Sequence, residues 1–106
     1  MPSSDWSNSE KKIARRVFDS ALQCELAEVM AAFKKKAEAA ATPEDMWEVA
    51  DFLLRAQRNI DAEYDFRYSQ LILVFGRLLR QKRIAEEDLA GLAEDKIGGI
   101  KTIASL

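Results

Sequence analysis

The stretch Thr42-Pro43-Glu44-Asp45-Met46-Trp47-Glu48-Val49-Ala50-Asp51-Phe52-Leu53 decides how this chain folds. Thr42 is a helix-capping residue type, and Pro43 suits a first helical position, where no amide donor is needed. Glu44 and Asp45 follow where the helix dipole is positive. The residue before a proline is biased away from helix, so the chain is expected to turn at Ala41–Thr42 and restart. From there Met46, Val49, Leu53, Ala56 and Ile60 recur at steps of three and four, which is one face of a helix.

The same stripe continues through Tyr64, Leu71, Phe75 and Leu78, and no breaker intervenes before Gly76. The sequence therefore predicts one long second helix from Pro43 to about Arg80. Met46, Leu53 and Ile60 are seven apart, as are Tyr64, Leu71 and Leu78. The second series is displaced by four residues, which reads as a coiled-coil stutter. Such a helix would be about 60 Å long. A compact chain of this length has a radius of gyration of only about 13 Å. The surplus apolar face calls for a second helix from another copy, with Met46, Leu53 and Ile60 as the expected dimer contacts.

Upstream, Ser7 and Glu10 have capping-box spacing and open a first helix expected over Ser9–Ala40. Phe18, Leu22, Leu26, Val29 and Phe33 share a face that Ile13, Val17, Ala21 and Cys24 widen. Cys24 is expected to be buried in that stripe. Residues 1–6 read as a loose arm. Downstream, Glu86-Glu87-Asp88 stand at the front of a short third helix through Leu92. A fourth segment carries Ile97, Ile100 and Ile103. Gly98-Gly99 within it costs about 2 kcal/mol against two alanines, so packing must hold it. The expected fold is all-α, a single domain over 1–106. Two long helices form an antiparallel dimeric bundle, and two short C-terminal helices form a head.

Composition removes much chemistry. The 106 residues include no histidine and one cysteine, whereas zinc centres and Ser/Cys nucleophile sites draw on His, several Cys, or both. No enzymatic activity and no cofactor or metal are expected. Sixteen Lys and Arg against eighteen Asp and Glu leave a net charge of −2, too little to gather nucleic acid over the whole surface. Basic clusters occur at Lys11-Lys12-Arg15-Arg16, Lys34-Lys35-Lys36 and Arg77-Arg80-Lys82-Arg83; the last sits where a helix is expected to end, and reads as complementing its dipole or as a contact for an acidic partner. One cysteine makes no internal disulfide. No apolar run reaches the roughly 18 residues that span a bilayer, and the first ten residues lack a signal-peptide core. A soluble cytoplasmic protein is expected.

Trp47 and Asp51 lie four apart on one side of the second helix, at the edge of its stripe. Such a ring beside a carboxylate is either a binding hot spot or a tryptophan buried in helix pairing. This region resembles the fluorescence recovery protein family of cyanobacteria. The likeness runs through Glu44–Leu53, Ile60-Asp61, Tyr64-Asp65, Arg67, Val74-Phe75, Leu78-Leu79, Leu92-Ala93, Asp95-Lys96 and Ile100-Lys101 without a gap. The resemblance implies a small helical homodimer without chemistry of its own. Such a protein binds the photoactivated orange carotenoid protein, speeds its return to the resting form and so ends quenching at the phycobilisome. It also implies a cytoplasmic protein that meets the thylakoid only through its partner. The family's tryptophan and aspartate fall on Trp47 and Asp51. Ala50 stands where the family has histidine, Gln57 where it has arginine (with Arg58 next door), and Gly99 where it can carry lysine. These departures leave a second reading open, a helical interaction protein of the same build with a different partner.

Overall fold

A computed structural model describes residues 5–106. Four α-helices follow in order: α1 Asn8–Ala39, α2 Pro43–Glu63, α3 Leu71–Arg80 and α4 Glu94–Ala104, with a short 3₁₀ turn at Glu86–Leu89 between the last two. The fold is all-α. The expected capping box opens α1: the Ser7 N–H donates to Glu10 Oε1 at 3.0 Å, and the Glu10 N–H donates to Ser7 Oγ at 3.2 Å. The described chain forms two compact units.

The first unit combines residues 5–21 with Tyr64–Leu106. Its core takes Ala14, Val17, Phe18 and Ala21 from α1, and Leu71, Val74, Phe75 and Leu78 from α3. Ile84, Leu89, Leu92 and Ile100 complete it. Helices α3 and α4 cross closely at Gly76, where an added Cβ would lie 2.6 Å from the Cβ of Ile103 and 3.2 Å from the Ile100 carbonyl. α3 closes in a Schellman turn. The Lys82 N–H reaches the Leu79 carbonyl at 3.1 Å and the Arg83 N–H reaches that of Leu78 at 2.9 Å. Lys82 takes the left-handed conformation that this turn demands, at φ 61°.

One expectation fails here. The second helix does not run to Arg80: it stops at Glu63, and residues 64–70 separate it from α3. The reason is an aromatic alternation. Tyr64, Phe66 and Tyr68 are spaced by two, a period that suits extended backbone rather than helix. Phe18 meets Tyr64 edge-on at 5.5 Å and Phe66 at 4.9 Å, while Phe66 meets Tyr68 at 5.6 Å. The Tyr64 hydroxyl donates to the Ala21 carbonyl at 3.3 Å, and Asp65 pairs with Arg67. The four-residue displacement between the two heptad series marks the end of one helix, not a stutter within it.

A second correction concerns the N-terminal arm. Trp6 is 8% exposed. Its ring lies 5.8 Å from that of Tyr68 and 5.0 Å from the Lys96 ammonium, so the arm is pinned at that point. Residues 1–4 of the expected arm lie outside the described residues.

The second unit spans Leu22–Glu63, the remainder of α1 and all of α2. Cys24, expected in the buried stripe, is exposed. At 100° per residue it lies nearly opposite the line of Leu22, Leu26, Val29 and Phe33, all half-buried. Lys36 lies 5.1 Å over the Phe52 ring, joining the last turn of α1 to α2. No described helix is long and apolar enough to cross a membrane.

Candidate functional site

α2 starts where the sequence places it. The Thr42 hydroxyl accepts from the Asp45 N–H at 3.1 Å. The Asp45 carboxylate answers by accepting from the N–H groups of Ala41 at 2.9 Å and Thr42 at 3.2 Å. Those backbone donors, Ala41 foremost, hold the Asp45 carboxyl below its ordinary range. This reciprocal cap sets the rotation of the first turn, and with it the direction in which each later side chain leaves the helix.

At 100° per residue, two adjoining stripes emerge. Met46, Ala50, Leu53, Gln57 and Ile60 form one. Trp47, Asp51, Leu54 and Arg58 form the other. Trp47 is 66% exposed, Met46 54%, Leu54 54% and Leu53 36%. Within the single chain the Trp47 ring is uncovered. Asp51, Gln57 and Arg58 are exposed, Ala50 is half-buried and Ile60 is buried. The surface thus joins four large apolar side chains, with Asp51 and Arg58 along one margin.

Beside these stripes runs a groove of about 440 Å³, lined by Leu26 and Val29 of α1 and by Leu53, Leu54, Gln57, Ile60 and Asp61 of α2. Leu54 and Asp61 were not among the residues expected to make contacts. Leu54 falls outside the 46-53-60 series but belongs to the 47-51-54-58 series, whose spacing was readable in the sequence. Exposed apolar area of this extent is unusual in a chain that works alone. Among the described residues, no cluster of three or more His, Cys, Asp or Glu is placed to hold a metal ion.

Residues 6–104 match the family described as photoprotection regulator fluorescence recovery protein. This chain belongs to that family. Among curated relatives, the fluorescence recovery protein of Synechocystis sp. PCC 6803 is 37% identical over 101 residues, which cover 95% of this chain and 93% of that protein. The solved structure of the Fremyella diplosiphon fluorescence recovery protein superposes with a TM-score of 0.91 at 29% identity, covering 96% of this chain and all of that one. The Synechocystis structure superposes with the same TM-score at 36% identity, with 96% and 100% covered. The four helices in this order are therefore the fluorescence recovery protein fold, and the chain is a photoprotection regulator by family. Gly99, where the resemblance implied a lysine, is half-buried, and an added Cβ there would sit 3.3 Å from Ile72 Cγ2.

Proposed function

We propose that this chain binds the photoactivated orange carotenoid protein and accelerates its return to the resting form, ending quenching at the phycobilisome. Family membership supports this reading, and the observation that carries it is the exposed Trp47 ring on the same stripe as Asp51. A rigid aromatic anchor beside a carboxylate is the composition of a protein-binding hot spot. Residues 1–106 act as one module, in the cytoplasm, without an enzymatic step of their own. The working form is a homodimer through Met46, Leu53 and Ile60. The apolar arc and the adjoining groove support that assignment, since both lose water contact when a second helix covers them.

Binding one conformer more tightly than the other shifts their populations. Acceleration needs more: the surface must hold the transition state between them more tightly than the starting conformer. About 3 kcal/mol of that selectivity corresponds to roughly a hundredfold in rate. The test mixes the protein with photoactivated carotenoid protein and follows the decay of its colour. A decay rate unchanged at saturating protein rules the activity out.

A second reading keeps the same dimer and changes the partner. Ala50 and Gln57 motivate it, because neither carries the charge or the ring donors of histidine and arginine. The double variant Ala50→His, Gln57→Arg separates the two. Recovery activity in the natural chain supports the first reading. Activity gained only by the double variant supports the second.

A further inference from the structure

The first unit carries a cationic surface that the proposed recovery activity does not use. It holds eleven Lys and Arg against nine Asp and Glu, whereas the second unit holds five against nine. The net charge of −2 therefore hides a positive unit and a more strongly negative one. Four cations of the positive unit fall within six residues of α1: Lys11, Lys12, Arg15 and Arg16, all exposed.

Two of them are held in place by rings. The Arg15 guanidinium lies 3.9 Å over the Phe66 ring and 5.9 Å from that of Phe18. The Lys11 ammonium lies 5.3 Å over Tyr68. One turn along, Arg16 lines a cleft of about 230 Å³ together with Ser20, Arg83 and Asp88. Two acidic groups border this surface. Asp19 meets one terminal nitrogen of Arg15 at 3.4 Å, and Asp88 accepts from the Ala85 N–H at 2.8 Å.

We infer that this ridge of Lys11, Lys12, Arg15, Arg16 and Arg83 is a docking surface for a carboxylate-rich segment of a partner protein. A guanidinium held over a ring keeps its N–H groups for a carboxylate, which they match in two parallel hydrogen bonds, and the exposed 3.4 Å contact of Arg15 with Asp19 is one that an incoming carboxylate can replace. A cation already fixed by a ring loses less side-chain freedom on binding than a free one. Charge complementarity names the occupant's sign, and the rings narrow its kind. Phe66 is covered by Arg15 and Trp6 is buried, which leaves Tyr68, 38% exposed and under Lys11, as the one open ring of the three, short of the run of faces on which successive bases stack. The ridge also lacks the large apolar side chains that would insert into a lipid surface.

The test uses the full chain and a synthetic glutamate-rich peptide bearing a fluorophore, read by anisotropy at low and at physiological ionic strength. It does not involve the carotenoid protein, so its outcome is independent of the recovery reading. The expected result is saturable binding that weakens with salt. It should fall about tenfold or more in Arg15→Glu and in Lys11→Glu, and not in Arg77→Glu, an exposed basic site on α3 that is not part of the ridge. Arg15→Lys, which keeps the charge and loses the planar fork, should be intermediate and guards against misfolding in the reversals. No saturable binding overturns the inference, as does equal loss in Arg77→Glu. Tighter, ridge-dependent binding of an oligothymidylate or of vesicles containing an anionic lipid overturns it too.

Discussion

Glu10 and Lys96, 86 positions apart, form a buried ion pair: the Lys96 ammonium donates to Glu10 Oε1 at 3.1 Å and to Oε2 at 3.2 Å. The same ammonium donates to the Asp5 carbonyl at 2.8 Å, and Glu10 Oε2 also accepts from the Ala93 N–H at 2.9 Å. A single carboxylate thus caps the start of α1 and ties it to the start of α4.

The Glu10 carboxyl is held down at about 2, against an ordinary 4.5, chiefly by the Ser7 N–H and then by Ala93 and Lys96, with burial opposing. A carboxyl with a depressed folded-state value stabilises fully above its unfolded value and loses that contribution as pH falls toward the folded one. Glu10→Gln should therefore cost roughly 2–3 kcal/mol at neutral pH, since it leaves a buried ammonium unneutralised. The gap between wild type and variant should close from about pH 4.5 down to about pH 2. Urea midpoints measured in steps of pH check this. A gap that stays constant would refute the assignment.

Gly76→Ala should destabilise the first unit by about 1–3 kcal/mol, because the new methyl meets Ile103 and the Ile100 carbonyl across a close helix crossing. Gly98→Ala is the control. Nothing lies within 4 Å of its added Cβ, and it should raise stability by about 1 kcal/mol through helix propensity alone. Thermal melts of the two variants should move in opposite directions.

Lys82→Gly should stabilise the protein by about 1 kcal/mol, because the left-handed φ that closes α3 costs a side-chain-bearing residue and costs glycine nothing. A melting temperature unchanged or lowered would mean that the Lys82 side chain contributes more than its backbone costs.

Met46→Glu and Leu53→Glu should each convert the proposed dimer to monomers at micromolar concentration. Each places a charge in the apolar arc, where pairing would bury it without a partner. Light scattering on a sizing column reads the mass directly, and an unchanged dimer would locate the interface elsewhere.

Trp47→Ala should leave stability within about 0.5 kcal/mol, since the ring is largely exposed. The same variant should slow the colour recovery of the carotenoid protein by at least about tenfold if the ring is the anchor. Loss of stability in step with loss of recovery would return Trp47 to a structural role.

Much of this architecture was readable before any coordinates. Both helix starts were, because Ser7/Glu10 and Thr42/Asp45 satisfy amides within four residues of themselves and depend on nothing distant. The break after Glu63 was not. Helical periodicity carries smoothly from Ile60 into Leu71 when only apolar positions are scored, and the contrary signal lies in ring identity at 64, 66 and 68. Trp6 was misplaced for a related reason. Burial at the start of a chain depends on what packs there, and Tyr68 and Lys96 lie far along the sequence. The exposure of Cys24 was legible, since 100° per residue sets it nearly opposite the Leu22 line. At the candidate site, the exposure of Trp47 could not be read from spacing, which gives a residue's angle on a helix and says nothing of what lies opposite.

Cys24 is the only thiol in the sequence, and it faces solvent on α1. The unaltered chain therefore accepts a maleimide dye or a nitroxide at one defined point, within the unit that carries the α2 surface. Self-association and partner capture can then be followed by resonance energy transfer or by spin–spin distances without first engineering a handle.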